Sequence, residues 1–440
     1  MREERPSLRR AVAALQHREY RLFYIALVVA GIGAQIQATA NIWQIYELTH
    51  SPLHLGLTGL ARGVPVIILS LMGGIIADRV DRRRFIMLTQ AAVGAVSLVL
   101  AALTVSGNIE VWHIYAATVV GAALSALGNP ARAAMIPNLV PRQHLLNALA
   151  LQSTVWQTAN IVGPSIAGLL IAAVGLPVTY LANGSAHLVS LLMLGLMHVG
   201  RVTAPARVSP LKSLTEGLTF VRRNSIILAL LGTDTCATFF GSYRALLPFF
   251  ATAVGVGASG LGLMFAAPGV GALLGSTLIM SLGDLRYKGL VTVTAILGYC
   301  LALVLLAVSP WFILSLVAVG LLGLLDSLQA TPRNAVIQSV TPDEVRGRVS
   351  SFQSMLTNGV PSLGQTWSGV LAAALGPPAA LIVGASACAG LVVTIAARRP
   401  DLRARELGSE APSETPSETP RTVTGAPGRT TPGESASQAV

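Results

Sequence analysis

"RAAMIPNLVP", residues 132–141, and "RNAVIQSVTP", residues 333–342, are two copies of one pattern. Sliding the chain against itself by 201 residues lays one on the other without a gap. Arg132 then meets Arg333, Ala134 meets Ala335, Ile136 meets Ile337 and Pro141 meets Pro342. The same offset carries Gln152 onto Gln353, Gly163 onto Gly364, Gly168 onto Gly369, Gly175 onto Gly376 and Pro177 onto Pro378. Chance in a low-complexity chain matches alanines. It does not readily match Arg, Pro, Gln and Gly in a single register.

The surroundings of the two copies set the fold class. Of 440 residues, 53% are hydrophobic and only 11% charged, and the mean hydropathy is +0.66. Soluble domains carry about 25% charged residues. Apolar runs near the ~20 residues that cross a bilayer recur throughout. Twelve are predicted, over 21–47, 53–77, 84–106, 111–138, 146–174, 177–199, 225–253, 259–282, 289–308, 311–340, 346–375 and 378–397. The 201-residue offset maps spans four and five onto ten and eleven, a displacement of six spans that keeps direction. The expectation is an all-α membrane protein of twelve transmembrane helices in two parallel six-helix pseudo-repeats, related by an axis along the membrane normal. The halves are 21–199 and 225–400.

Charge placement orients this layout. Breaks such as "THSP", "SGN", "VGLP" and "LGPP" hold no Lys or Arg, whereas alternate loops hold Arg79, Arg82–Arg84, Arg142, Arg222, Arg223, Arg286, Lys288, Arg346 and Arg348. Basic loops mark the cytoplasmic face, so both termini are expected in the cytoplasm. The net charge of +11 is thus a topology signal, and no nucleic-acid partner is expected. The N-terminal segment 1–20 lacks a signal-peptide pattern. The linker 200–224 carries Leu211, Leu214, Leu218 and Val221 on one helical face, an amphipathic surface helix. The tail 401–440, with "PSETPSETP", has a composition that cannot bury a core. Cys236, Cys300 and Cys388 sit in separate apolar runs with no metal or redox spacing. No metal or other cofactor is expected.

"GGIIADRVDRRR", Gly73–Arg84, puts two aspartates and four arginines into seven positions after an apolar run. Its Gly74, Asp78, Arg79, Arg82 and Arg83 follow G-x-x-x-D-R-x-x-R-R. This resembles the loop between helices 2 and 3 of the major facilitator superfamily. "NIWQIYELTHSPLHLGL", "SPLKSLTEGLTFVRR", "YRALLPFF" and "VTPDEVRGR" are similar to the subgroup that holds enterobactin exporters and macrolide-efflux proteins. The resemblance covers the chain to about residue 400. It implies alternating access, a conformational latch at this loop, export, and exchange for protons.

The residues allow the latch a mechanism. "TPDE" at 341–344 opens span eleven, with Thr341 as a helix cap, Pro342 in the first turn and Glu344 completing a capping box. A helix N-terminus carries about half a positive charge, onto which Asp78 docks while Arg82 holds its carboxylate. The competing reading is a loop that is only topogenic. "SLGDLRYKG" repeats the pattern incompletely, so the latch is expected to be asymmetric.

Charges inside spans cost ~2.5–3.5 kcal/mol each and face interiors. Arg62, Asp234, Arg244, Asp326 and Arg333 stand out. Asp234 and Asp326 are the proton-coupling candidates, with Asp234 the foremost. Asp234 reads either as a proton carrier or as half of a fixed pair with Arg62 or Arg244. Arg132 and Arg333, matched by the repeat, read as a cytoplasmic gate. Arg62 and Arg244 are candidates for the substrate cavity. So are the stripe Gln37, Asn41 and Gln44 in span one, Trp156 and Asn160 in span five and Asn358 in span eleven. Each stripe reads equally as helix-packing polar contact.

No G-x-x-x-x-G-K-[ST] loop is present, and His113 and His187 have no catalytic partner at helical spacing. The expectation is not an enzyme. It is a monomeric, multi-pass inner-membrane exporter of a medium-sized amphiphile of siderophore or macrolide and multidrug type, with both halves embedded in the lipid bilayer and with protons as the coupling ion. The alternatives are a non-transporting receptor on the same fold and an uncoupled facilitator.

Overall fold

The computed structural model describes residues 13–79, 81–198, 218–283 and 287–399; the side chains of 70–79, 343, 344, 351 and 358 lie outside the described residues. All regular structure among the described residues is helical. The first half holds α1 (Arg18–Thr49), α2 (Pro52–Arg79), α3 (Arg82–Val105), α4 (Val111–Met135) and α5 (Leu145–Gly195). The second holds α6 (Ser225–Phe240), α7 (Leu247–Ala253), α8 (Gly257–Leu282), α9 (Lys288–Ala307), α10 (Phe312–Val340), α11 (Asp343–Leu375) and α12 (Pro377–Arg398). A single 3₁₀ turn, Arg244–Leu246, separates α6 from α7.

Among the described residues, ten helical stretches are long and apolar enough to cross a membrane. One of them, Arg142–Gly195, has 54 residues, about 80 Å of helix if straight. It is not straight. Gly175 leaves helical geometry at φ 82°, ψ 175°, dividing α5 into limbs 145–174 and 176–195, where the sequence predicts two spans. α11 is not among the ten, because its run from Ser350 to Gln365 is rich in Ser, Thr, Asn and Gln. The predicted span 225–253 is broken at 241–246 into α6 and α7, and the remaining spans correspond to helices within a few residues.

Local chemistry explains the ends. Asp81 caps α3, its Oδ1 accepting from the Arg84 amide at 3.1 Å. Asn224 caps α6 by accepting from the Ile226 and Ile227 amides, both at 3.2 Å. Such caps contribute about 1 kcal/mol each. His113 proves to be a capping residue: its Nδ1 accepts from the Glu110 amide at 3.0 Å.

Thr341 departs from expectation. Its hydroxyl donates back to the Ile337 carbonyl at 2.5 Å, so it satisfies the end of α10 instead of capping α11, which begins after Pro342. A hydroxyl following the last turn reaches the carbonyl four residues back more easily than amides ahead of it. The expected amphipathic linker helix lies mostly outside the described residues. Residues 218–223 are helical, and Val221 is buried with Ile227, Leu230, Val336 and Val349. It packs into the second half rather than lying on a membrane surface. Segments 1–12 and 400–440 lie outside the described residues.

The buried apolar residues fall into three groups. One joins both halves, from Trp43, Leu55 and Tyr180 to Leu247, Phe265 and Leu381. A second is confined to the first half, around Tyr20, Phe23, Ile86 and Met135. A third is confined to the second half, around Ile227, Val336 and Val349. The shared core lies toward the Gly175 and Gly376 turns; the separate cores lie toward the arginine-rich loops.

Candidate transport site

Two seams join the halves, and both are built on glycine. In the first, α2 presents Gly56, Gly59 and Gly63 to α11. A Cβ on Gly56 would stand 2.7 Å from the Gly369 Cα, and one on Gly63 2.7 Å from the Ser362 Cβ. The Thr366 hydroxyl donates to the Gly56 carbonyl at 3.0 Å. In the second, α5 meets α8, where a Cβ on Gly168 would stand 2.8 Å from the Gly262 Cα and the converse holds at 2.8 Å. Small residues let backbones approach this closely. Gly168 and Gly369 are partners in the 201-residue repeat, so one pattern builds both seams. Tyr46 on α1 also meets Phe249 on α7 edge-to-face at 5.0 Å. Toward the arginine-rich end burial falls away: Leu146, Leu149 and Trp156 on α5 and Leu278, Met280 and Leu282 on α8 are exposed.

Four side chains from α6 and α10 form a charged chain inside the second half. Arg333 is ion-paired with Asp234. Gln329 connects this pair to Asp326. Its amide nitrogen lies 3.1 Å from Asp234 Oδ1 and 3.1 Å from Asp326 Oδ1, while its oxygen accepts from Arg333 Nη1 at 3.1 Å. Asp234 and Arg333 are buried, but Asp326 is exposed although it lies deep in the protein.

This corrects the expectation that Asp234 pairs with Arg62 or Arg244. Arg333 faces Asp234 across the α6–α10 contact, one helical turn beyond Gln329. The two arginines expected to act as a matched gate also differ. Arg132 donates to Asn129 Oδ1 at 3.3 Å, and neither its Nε nor that of Arg333 has a partner among the described residues. The repeat conserves the arginine type but supplies an aspartate partner in one half.

The stripe on α1 is packing contact. Gln37 bonds Ser97, whose hydroxyl donates to it at 2.5 Å, and Asn183. Asn41 donates to Thr118 at 3.2 Å and Gln44 to Thr104 at 3.0 Å. The Tyr180 hydroxyl lies 3.1 Å from Asn41 Oδ1 and 2.7 Å from Gln44 Oε1. All three are buried, and their hydrogen-bond partners lie on α3, α4 and α5. Asn160 accepts from Gln35 of α1. Buried amides without partners would cost several kcal/mol, so the stripe selects its neighbours.

Sequence reading missed Tyr180, Asn183 and Ser97 as that stripe's partners, and missed Gln90, which bonds His187 at 2.7 Å. Small-residue spacing in α2 (i, i+3, i+7) was a usable signal for the first seam. Cys300 and Cys388, on separate runs, lie side by side as buried free thiols.

Trp156 is 54% exposed. Arg62 is exposed and Arg244 half-buried. Of the latch residues, Arg82 donates to the Ala134 carbonyl at 2.9 Å, and Arg83 to those of Leu194 and Gly195 at 2.8 and 2.6 Å. Both thus hold helix ends of their own half. The side chains of Gly74, Asp78, Arg79, Glu344 and Asn358 lie outside the described residues.

Two helical halves meeting along glycine seams, with a charged chain inside the second, have the architecture of a two-bundle membrane transporter. Residues 9–424 match the transmembrane secretion effector family, and the chain belongs to that family of the major facilitator superfamily. It is similar to enterobactin exporter EntS of Shigella boydii serotype 18, at 28% identity over 82% of this chain and 87% of that one. Enterobactin exporter EntS of Escherichia coli O139:H28 matches with the same identity and coverage. Two solved structures share the fold. A POT family transporter in complex with 5-aminolevulinic acid has a TM-score of 0.69 at 12% identity, covering 88% of this chain and 96% of that one. A bacterial homolog of the human lysosomal transporter Spinster, inward-facing and unoccupied, has 0.64 at 14% identity, covering 89% and 96%.

Proposed function

We propose that this chain is a secondary-active inner-membrane exporter of a medium-sized amphiphilic molecule, of siderophore or macrolide type, working by alternating access. The observation that carries the reading is the division of the core. One apolar core spans both halves at the Gly175 end, while at the arginine-rich end each half closes its own. A pair of bundles so joined can rock about the shared end. The relatives' names point to export.

The chain passes the membrane twelve times, α5 contributing two passes and the polar α11 one. Both termini and the arginine-rich loops are cytoplasmic, so the present conformer opens inward. It acts as a monomer. The latch of Gly74, Asp78, Arg79, Arg82, Arg83, Thr341 and Glu344 engages when the glycine seams separate and the cytoplasmic side closes. Arg132 and Arg333 gate that side, and Trp156 and Asn358 line the substrate's path.

Protons are the coupling ion, and Asp326 is their carrier. Asp234 already has a fixed positive partner in Arg333. Asp326 accepts a hydrogen bond from the Gln329 amide, has no ion pair among the described residues and keeps an open face.

The test uses purified protein in liposomes with a pH-sensitive dye. A catechol siderophore, a macrolide or a lipophilic cation is added without an imposed gradient. Proton movement with one of them, lost in Asp326→Asn, is the expected result. Ligand binding without ligand or proton movement in the wild type would favour a receptor.

A further inference from the structure

We infer that Arg62 and Arg244 form one oxyanion-binding site between the halves, so that the exported amphiphile carries an acidic group such as a carboxylate. This deepens the exporter reading and rests on it for the word exported.

The two arginines come from opposite halves. Gly59 and Gly63 of α2 lie against Ser362 of α11, and Arg62 stands beside them on that helix. Arg244 opens the 3₁₀ turn between α6 and α7, and this turn touches both α2 and α11. Arg62 and the Arg244 turn therefore both lie at the first seam, and the two charges are within each other's electrostatic field. Ten residues separate Arg62 from the start of α2, about 15 Å of helix, which is roughly half the depth of a bilayer.

Among the described residues no carboxylate forms an ion pair with either arginine. Among the described residues every acid within the bundles or at their ends is engaged elsewhere. Glu47 accepts from Trp43, Glu110 from Trp112 and Asp234 from Arg333; Glu19 pairs with Arg18 and Asp81 with Arg84. Asp326 accepts from Gln329 and lies in the field of Arg244 without forming an ion pair with it. Two like charges at this depth repel strongly unless an anion lies between them. Guanidinium groups bind carboxylate and phosphate with paired N–H donors.

Apolar surface adjoins the charges. Phe239 and Phe240 at the end of α6 pack against Trp367 of α11, with ring centroids 6.0 Å apart in each pair. α11 touches the Arg244 turn as well. An acidic head between the arginines thus has an aromatic wall for its apolar body. Such a ligand links the two halves through its own charge, and relieves a repulsion that otherwise works against their approach.

The experiment compares 1-pyrenebutyrate with its uncharged amide, using the full-length protein in nanodiscs for binding and in liposomes for movement. Wild type is expected to prefer the carboxylate at least tenfold, and the preference should weaken at high salt. Arg62→Gln and Arg244→Gln should each abolish it without changing amide affinity, and Arg62→Lys should restore part of it. Melting temperatures within a few degrees of wild type establish that the variants fold. Equal affinity for the two probes, or an undiminished preference in both Gln variants, overturns the site. Carboxylate preference without movement across the bilayer upholds the site and overturns the exporter reading. Movement of both probes with no arginine dependence does the opposite.

Discussion

Gly175 and Gly376, 201 residues apart, hold one backbone conformation, φ 82°, ψ 175° and φ 86°, ψ 155°. Each joins two long helices, and each is followed within two residues by a proline. Positive φ with ψ near 180° is essentially closed to residues with a Cβ. The internal repeat is therefore a repeat of a steric requirement as well as of letters. Gly175→Ala and Gly376→Ala should each destabilise the protein by about 1–3 kcal/mol. The sites are at distinct turns, so the losses should add. Thermal unfolding of the singles and the double checks both statements; unchanged midpoints would refute the strain.

The glycine seams predict a shift in conformation rather than simple loss of stability. In Gly168→Val the new Cβ falls under 3 Å from the Gly262 backbone, so α5 and α8 cannot remain in contact. Overpacking of this kind costs about 1–3 kcal/mol, which is about 5–150-fold in the ratio of two conformers. Spin labels at Leu146 and Met280, both exposed, should report a shorter distance as the opposite end closes. An unchanged distribution would show that this seam does not govern the equilibrium.

Asp234 and Arg333 should behave as a buried pair. Arg333→Met leaves an uncompensated carboxylate and should cost about 3–5 kcal/mol, whereas Asp234→Leu with Arg333→Met should recover most of that loss. Chemical denaturation in detergent measures the cycle. A double variant no better than the worse single would show that the pair has some further structural duty.

Asp326 should separate from Asp234 in function. Asp326→Asn removes a carboxylate with one protein partner and an open face, so it should fold normally and lose proton movement. Asp234→Asn should instead lose stability. Proton flux surviving in Asp326→Asn at the wild-type rate would assign coupling elsewhere.

Tyr180 should show the cost of the buried network in the first half. Its side chain is fully buried, and its hydroxyl serves both Asn41 and Gln44. Tyr180→Phe leaves amide oxygens short of a donor, at about 1–3 kcal/mol. A shift in unfolding midpoint with no change in ligand affinity is the expected outcome.

Much of this was legible in the chain. Apolar runs near bilayer length fixed the helices, because a backbone in hydrocarbon must bond internally. The ungapped Arg, Pro and Gly matches revealed the two-fold construction, and Gly175 and Gly376 marked turns by a purely local steric rule. Which polar groups meet was a different matter. Asp234 pairs with Arg333, 99 residues later, and not with Arg62 or Arg244; Gln37, Asn41 and Gln44 are consumed by α3, α4 and α5. Helical periodicity places a side chain on a face but does not name the helix opposite it. Only the packing of helices within each bundle decided that, and only the packing of one bundle on the other placed Arg62 and Arg244 at one seam.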